Sequence, residues 1–110
     1  MAKKIPPQIK KIVEETQNEL KKIYNDRFKG LILFGSYARG DYGEGSDIDL
    51  ALLVEEAQDS ITERKKFFPV TSRISLKYDT VVSVIPFDIN EFHQKRTPLV
   101  LNINKEGIKI

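Results

Sequence analysis

The chain contains no cysteine and only one histidine, His93, among its 110 residues. The lack of cysteine excludes a disulfide framework and any thiolate metal site, and it fits the reducing cytoplasm in which we expect the protein to be found. His93 has no second histidine or cysteine near it in the sequence to complete a metal site of nitrogen and sulfur ligands. We therefore do not expect His93 to be a metal ligand.

The chain also lacks a strong net charge and a long apolar run. Its 18 basic and 16 acidic residues give a formal net charge of +2, which favours neither nucleic-acid binding nor membrane binding. There is no run of 18 apolar residues to span a bilayer and no signal-peptide core after Met1. We find no internal repeat, and 40% of the residues are hydrophobic, so residues 1–110 are expected to form one soluble domain with one core.

Two short apolar runs, Leu31–Phe34 and Leu50–Val54, predict buried strands on either side of a glycine-rich segment. The segment carries four glycines, which are too many for a packed element and suit a loop whose backbone approaches another group closely. It begins with Gly35-Ser36 and ends, after ten further residues, with Asp47-Ile48-Asp49.

The two aspartates are spaced so that they share one face of a strand, because successive side chains of a strand alternate between faces. Two carboxylates roughly 6–7 Å apart along a strand repel each other unless cations lie between them. Mg²⁺ is usually held by one or two carboxylates together with substrate phosphates. Gly35-Ser36 falls where a strand would turn into a helix, whose free N–H groups favour an anion. The pattern predicts a nucleoside triphosphate site, and a merely structural turn is the weaker alternative.

The form Gly35-Ser36-Tyr37-Ala38-Arg39-Gly40 followed by Ser46-Asp47-Ile48-Asp49-Leu50 resembles the signature of the polymerase-β-type nucleotidyltransferase superfamily. In particular, it resembles the small stand-alone members, the minimal nucleotidyltransferases (MNT). The resemblance implies an α/β (α+β) fold with a small mixed β-sheet and helices mainly on one face. It also implies Mg²⁺-dependent transfer of a nucleoside monophosphate, expected to be AMP from ATP, at a two-metal site with release of pyrophosphate. Several members are antitoxins encoded beside a helical HEPN-domain partner, on which they adenylylate a tyrosine.

The same resemblance assigns roles to individual residues. The residues expected to bind the nucleotide are Gly35, Ser36, Arg39 and Ser46, and the residues expected to bind metal and act in catalysis are Asp47 and Asp49. The family pattern also expects a third carboxylate on a neighbouring strand, where it ligates metal and can accept a proton. The β-branched run Tyr78–Ile85 predicts such a strand. Asp79 is the only acidic residue in that run, so the third role is assigned to it.

Three side chains of the loop remain open between several roles. Arg39 lies about one helical turn after Ser36, and it suits a triphosphate, a partner surface, solvent, or an ion pair with Asp41 or Glu44. Tyr37 and Tyr42 suit either base stacking or ordinary packing.

Outside the loop, apolar periodicity and capping residues predict four helices and a terminal strand. They are a helix from Pro6-Pro7 to about Tyr24, a helix over about Ile61–Leu76 capped by Asp59 or Ser60, a helix from Ile89 to about Lys95 capped by Asp88, a helix that begins at Thr97-Pro98 and ends at Gly107, and a strand at Ile108–Ile110. Pro69 predicts a break or a bend in the second helix.

The length of the chain bears on the acceptor. One hundred and ten residues leave little for an acceptor-binding domain once the sheet and its helices are formed. We therefore expect a HEPN-type partner protein, or another subunit of a homo- or hetero-oligomer, to supply the acceptor hydroxyl. Two alternatives are a non-catalytic module that neutralises its partner by contact, and a small-molecule adenylyltransferase similar to the aminoglycoside-modifying enzymes.

Overall fold

The computed structural model describes residues 5–110. These residues form five α-helices, a 3₁₀ turn and four β-strands. In chain order they are α1 (Pro7–Tyr24), the 3₁₀ turn (Asn25–Arg27), β1 (Phe28–Phe34), α2 (Ser36–Arg39), β2 (Ile48–Val54), α3 (Ser60–Tyr78), β3 (Val82–Asp88), α4 (Ile89–Gln94), α5 (Pro98–Glu106) and β4 (Ile108–Lys109). Among these residues, no helix is long and apolar enough to cross a membrane.

The four strands form one mixed sheet in the order β3-β2-β1-β4. Strand β2 is antiparallel to β1 and parallel to β3, and β4 is antiparallel to β1. The first backbone bond between the parallel strands runs from the Ile48 N–H to the Val81 carbonyl, at 2.9 Å. The predicted mixed α+β fold is thus confirmed.

The sheet is covered on both faces. The long helices α1 and α3 pack on the face that carries Leu31 and Leu33, and the short helices α4 and α5 pack on the face that carries Ile32 and Phe34. Strand β2 is buried on both sides, which explains its nearly continuous apolar sequence. The larger helices do lie on one face, as expected, but a second, smaller core fills the other.

Local capping signals set the helix starts. The side chains of Asp59, Asp88 and Thr97 each accept a hydrogen bond from a backbone N–H in the first turn of α3, α4 and α5, as predicted. Of the break or bend predicted at Pro69, the break does not occur, because α3 runs through the proline without interruption. Phe67 and Ile74, on either side of the proline, both lie in the core beneath the sheet, so burial on both sides holds the helix together.

Glu63 is a fully buried carboxylate at the start of α3. It accepts hydrogen bonds from the Tyr24 hydroxyl, at 2.8 Å, and from the Gln58 N–H, at 2.7 Å. The Lys66 ammonium group lies 3.5 Å away. Burial alone would raise the pKa of Glu63, but these hydrogen bonds and the Lys66 charge lower it below its ordinary value of 4.5.

Replacing Tyr24 with phenylalanine is expected to lower the free energy of unfolding by about 1–3 kcal/mol, because it leaves the buried carboxylate short of a donor. Because the pKa of Glu63 is lowered, the stabilisation from its hydrogen-bonded carboxylate is complete above pH 4.5. It is lost as the pH falls through the pKa that Glu63 has in the folded chain. Urea unfolding at pH 7 and at acidic pH measures both effects. Tyr42→Phe, at a residue that is 44% exposed, is the control. Equal stability of the two variants at pH 7 would contradict this role for Glu63.

Candidate active site

The turn at Gly35 joins β1 to α2 in a conformation that other residues avoid. Its φ of 77° and ψ of −156° lie in a region populated almost only by glycine. The residue is buried, and a Cβ atom built on it would collide with the Asp49 carboxylate. The glycine-serine turn and the second aspartate, predicted to face each other, are therefore in direct contact.

The Asp49 carboxylate is half-buried and lies at the start of β2. Phe34, at the end of β1, is its partner in the antiparallel register. Its neighbours Ile48 and Leu50 are fully buried on the opposite face. Asp47 precedes the strand and is exposed, so the two aspartates come together at one end of β2.

The electrostatics of Asp49 favour a cation. Burial raises the pKa of its carboxyl above the ordinary value of 3.8, and the neighbouring charge of Asp47 raises it further. Arg39 lowers this pKa, but its nearest ion pairs are with Asp41 and Glu106. Two neighbouring carboxylates, one of them partly desolvated, fit the Mg²⁺ sites in which substrate phosphates complete the coordination.

Arg39 lies at the end of α2 and joins two acidic residues. Its Nε donates to Asp41 Oδ2 at 3.0 Å, and its Nη1 donates to Glu106 Oε1 at 3.3 Å. Its hydrogen bond to Asp41, which has the larger effect, and its hydrogen bond to Glu106 both raise the pKa of the guanidinium. Of the alternatives left open by the sequence, the pair with Asp41 is thus present.

Glu106 belongs to this site although no sequence pattern predicted it. It is the last residue of α5, and its Oε1 accepts a hydrogen bond from the Gly35 N–H at 3.2 Å. The same oxygen lies beside the Arg39 guanidinium. No local pattern marks a residue 71 positions from Gly35.

The two serines of the signature differ in their surroundings. Ser36, half-buried, is the first residue of α2 directly after the turn. The Ser46 hydroxyl oxygen accepts a hydrogen bond from the Gly43 N–H at 2.9 Å, which shapes the loop and leaves the hydroxyl proton free to donate. Tyr37 and Tyr42 stack on each other with their ring centres 4.7 Å apart.

The prediction that Asp79 lies in the third strand is wrong. Asp79 caps the C-terminus of α3 in the left-handed conformation, with φ 51°, and β3 begins at Val82. The residue of β3 that pairs with Asp49 is Ser83. Among residues 5–110, no three histidine, cysteine or acidic side chains are grouped to hold a metal ion. Asp79 therefore does not join Asp47 and Asp49 in a three-ligand set.

Known proteins resemble this chain in sequence and in fold. Residues 8–110 match the family model described as nucleotidyltransferase domain. A Methanocaldococcus jannaschii protein named "Putative protein adenylyltransferase MJ0141" is 44% identical over 78 residues, which are 71% of this chain and 78% of that protein.

Two solved structures have a similar fold. A chain of a toxin–antitoxin complex with AMP-PNP aligns with a TM-score of 0.62 at 22% identity, over 87% of this chain and 70% of that one. The second structure is a complex between a tri-AMPylated Shewanella oneidensis HEPN toxin and an MNT antitoxin. One of its chains aligns with a TM-score of 0.52 at 20% identity, over 87% of this chain and 69% of that one. At such identities these structures show the fold alone. The family match over residues 8–110 shows that the chain belongs to the nucleotidyltransferase domain family.

Proposed function

We propose that this chain is an adenylyltransferase that moves AMP from ATP to a tyrosine hydroxyl of a HEPN-type partner protein. The contact between Gly35 and the Asp49 carboxylate carries the proposal, because the turn that we propose binds phosphate lies against one of the two aspartates that we propose bind metal. A relative named as an adenylyltransferase and an antitoxin-containing neighbour with an AMPylated HEPN toxin support it.

The residues of the site divide between the metal and the phosphates. Asp47 and Asp49 would hold Mg²⁺, which when bound neutralises charge on the triphosphate and on the phosphoryl group in transfer. The backbone at Gly35 and Ser36 would bind phosphate oxygens, with the Ser36 and Ser46 hydroxyls and the Arg39 guanidinium as further donors. The buried face of β2 fixes the position of Asp49 relative to the turn.

The reaction is an in-line displacement at the α-phosphorus of ATP. The tyrosine oxygen forms a bond to that phosphorus, and the bond from phosphorus to the oxygen bridging to the β-phosphate breaks. Pyrophosphate leaves with the electron pair of the broken bond, and the tyrosine proton passes to solvent. The chain contributes by positioning the two reactants and by stabilising charge, which are the main sources of catalysis in phosphoryl-type transfer.

Intact-mass analysis tests this function. The chain is incubated with ATP, Mg²⁺ and the product of the neighbouring open reading frame, and the partner is expected to gain the mass of one or more AMP groups. Peptide mapping should place each group on a tyrosine, and the matching tyrosine-to-phenylalanine partner should stay unmodified. If the partner is neutralised without any mass change, and Asp49→Asn neutralises it equally well, the chain is a binding module and the proposal is wrong.

A further inference from the structure

The carboxylate of Glu106 already holds two of the donors that the proposed function gives to the triphosphate. Its Oε1 accepts the Gly35 N–H at 3.2 Å, and both of its oxygens lie 3.3 Å from Arg39 Nη1. Only 17% of the Glu106 side chain is exposed. A negatively charged group thus lies where phosphate oxygens would have to bind.

The fold holds Glu106 in this place from both sides. Ile103, one turn earlier in α5, is fully buried. A Cβ atom on Gly107 would collide with the Ile103 carbonyl and with the Ile32 side chain, so the chain passes tightly over β1. Ile108 then pairs with Leu33 in β4. The backbone of Glu106 is fixed between a buried helix turn and a strand, and only its side chain is free to rotate.

A carboxylate and a phosphate compete for the same donors. Both are anions that accept charge-assisted hydrogen bonds from guanidinium and backbone N–H groups. Two anions on one pair of donors repel each other, and this repulsion is strong in a partly desolvated site. Asp41 increases the competition, because it occupies Nε of the same Arg39.

We propose that Glu106 is an internal competitor for the phosphate-binding donors, and that its carboxylate leaves the Gly35 N–H and Arg39 when a nucleotide triphosphate binds. This inference rests on the proposed function. Displacing Glu106 costs part of the binding free energy of the nucleotide, so the site binds the nucleotide less tightly than it would without Glu106. The same competition discriminates against ligands with few phosphate oxygens, which cannot replace both contacts.

Calorimetric titration of the wild type and Glu106→Gln with Mg-ATP and with Mg-tripolyphosphate tests the inference. Glutamine keeps an oxygen for the Gly35 N–H but removes the charge that holds Arg39. Both ligands are expected to bind Glu106→Gln about tenfold more tightly, and Glu106→Ala should change affinity in the same direction. Adenosine, which has no phosphate, should bind the wild type and the variant alike.

Glu91→Gln is the matched control, because Glu91 is exposed on α4 and its one ion pair within residues 5–110 is with Lys95, at 3.8 Å. It should leave both affinities unchanged, which separates the local contact from the loss of one negative charge. If wild type binds the two ligands and both Glu106 variants bind them equally or more weakly, Glu106 supports the phosphate site and the inference is wrong. If neither wild type nor the variants bind either ligand, the proposed function fails and the inference fails with it.

Discussion

Asp49→Asn is expected to reduce AMP transfer by roughly 10³-fold, the size of effect seen when a group that stabilises developing charge is removed. The change keeps the shape of the side chain but removes the charge that would bind Mg²⁺. Because the pKa of Asp49 is raised, the folded chain binds a proton on this carboxyl more tightly than the unfolded chain does. The stabilisation that comes from this protonated carboxyl is lost as the pH rises and the group ionises. At pH 7 the variant should therefore be at least as stable as the wild type. Initial rates of partner modification and thermal unfolding measure the two effects.

A fall in activity without a fall in stability distinguishes a functional carboxylate from a structural one. Asp47→Asn is expected to act in the same direction. Asp26→Asn, an exposed residue of the 3₁₀ turn, is the control and should leave both rate and melting temperature unchanged. Transfer at a wild-type rate in a clean Asp49→Asn preparation would rule out the assignment of this site.

Gly35→Ala is expected to have the second large effect, with a loss of transfer of about 100-fold or more and a decrease in unfolding free energy of about 2–4 kcal/mol. Two causes act together. The backbone conformation at φ 77° is strained for alanine, and the added methyl group would push the Asp49 carboxylate away from the turn. Activity assays and urea unfolding measure both losses.

Gly40→Ala separates the two causes. Gly40 also has a positive φ, of 89°, but a Cβ atom there meets no atom of residues 5–110 within 4 Å. This variant should lose about 1 kcal/mol of stability from strain while most of the activity remains. If Gly40→Ala and Gly35→Ala lose activity equally, the strain of the loop matters and the contact with Asp49 does not.

Those features that depend on neighbouring residues were predictable from sequence. The caps at Asp59, Asp88 and Thr97 were found because a side chain accepts from an N–H two or three residues away. The Gly35–Asp49 contact was predictable because the glycine-serine turn directly follows one buried strand, the aspartate pair begins the next, and both belong to a known signature. These local patterns fixed most of the fold.

The start of the third strand was not predictable, because contacts between distant residues decide it. The Tyr78 hydroxyl donates to Glu15 at 2.6 Å, and Lys77 pairs with the same carboxylate at 3.1 Å. These contacts to α1 support the last turn of α3, so Asp79 becomes its cap rather than a strand residue. A β-branched run in the sequence carries no information about either contact.

Glu106 escaped prediction for a related reason. Its place beside Gly35 depends on the pairing of β4 with β1, which joins segments more than 70 residues apart. A carboxylate at a helix end is most often a solvated residue, and only the register of two strands shows otherwise.

Strand β3 lies at one edge of the sheet, and this edge limits how the proposed protein acceptor could be recognised. The Ile48 N–H bonds to the Val81 carbonyl, so the odd-numbered residues of β3 direct their backbone groups toward β2. The even-numbered residues of β3 therefore direct theirs away from the sheet, at its edge. Of these, the Val82 N–H is already bonded to the Ser75 hydroxyl at 3.0 Å, and Pro86 has no N–H to donate. An incoming extended segment would find its hydrogen-bond ladder interrupted twice, so strand addition along this edge is disfavoured. If the acceptor is a tyrosine of a partner protein, as proposed, we expect it to be presented from a helix or a loop, through side-chain contacts, and not from a strand that extends the sheet.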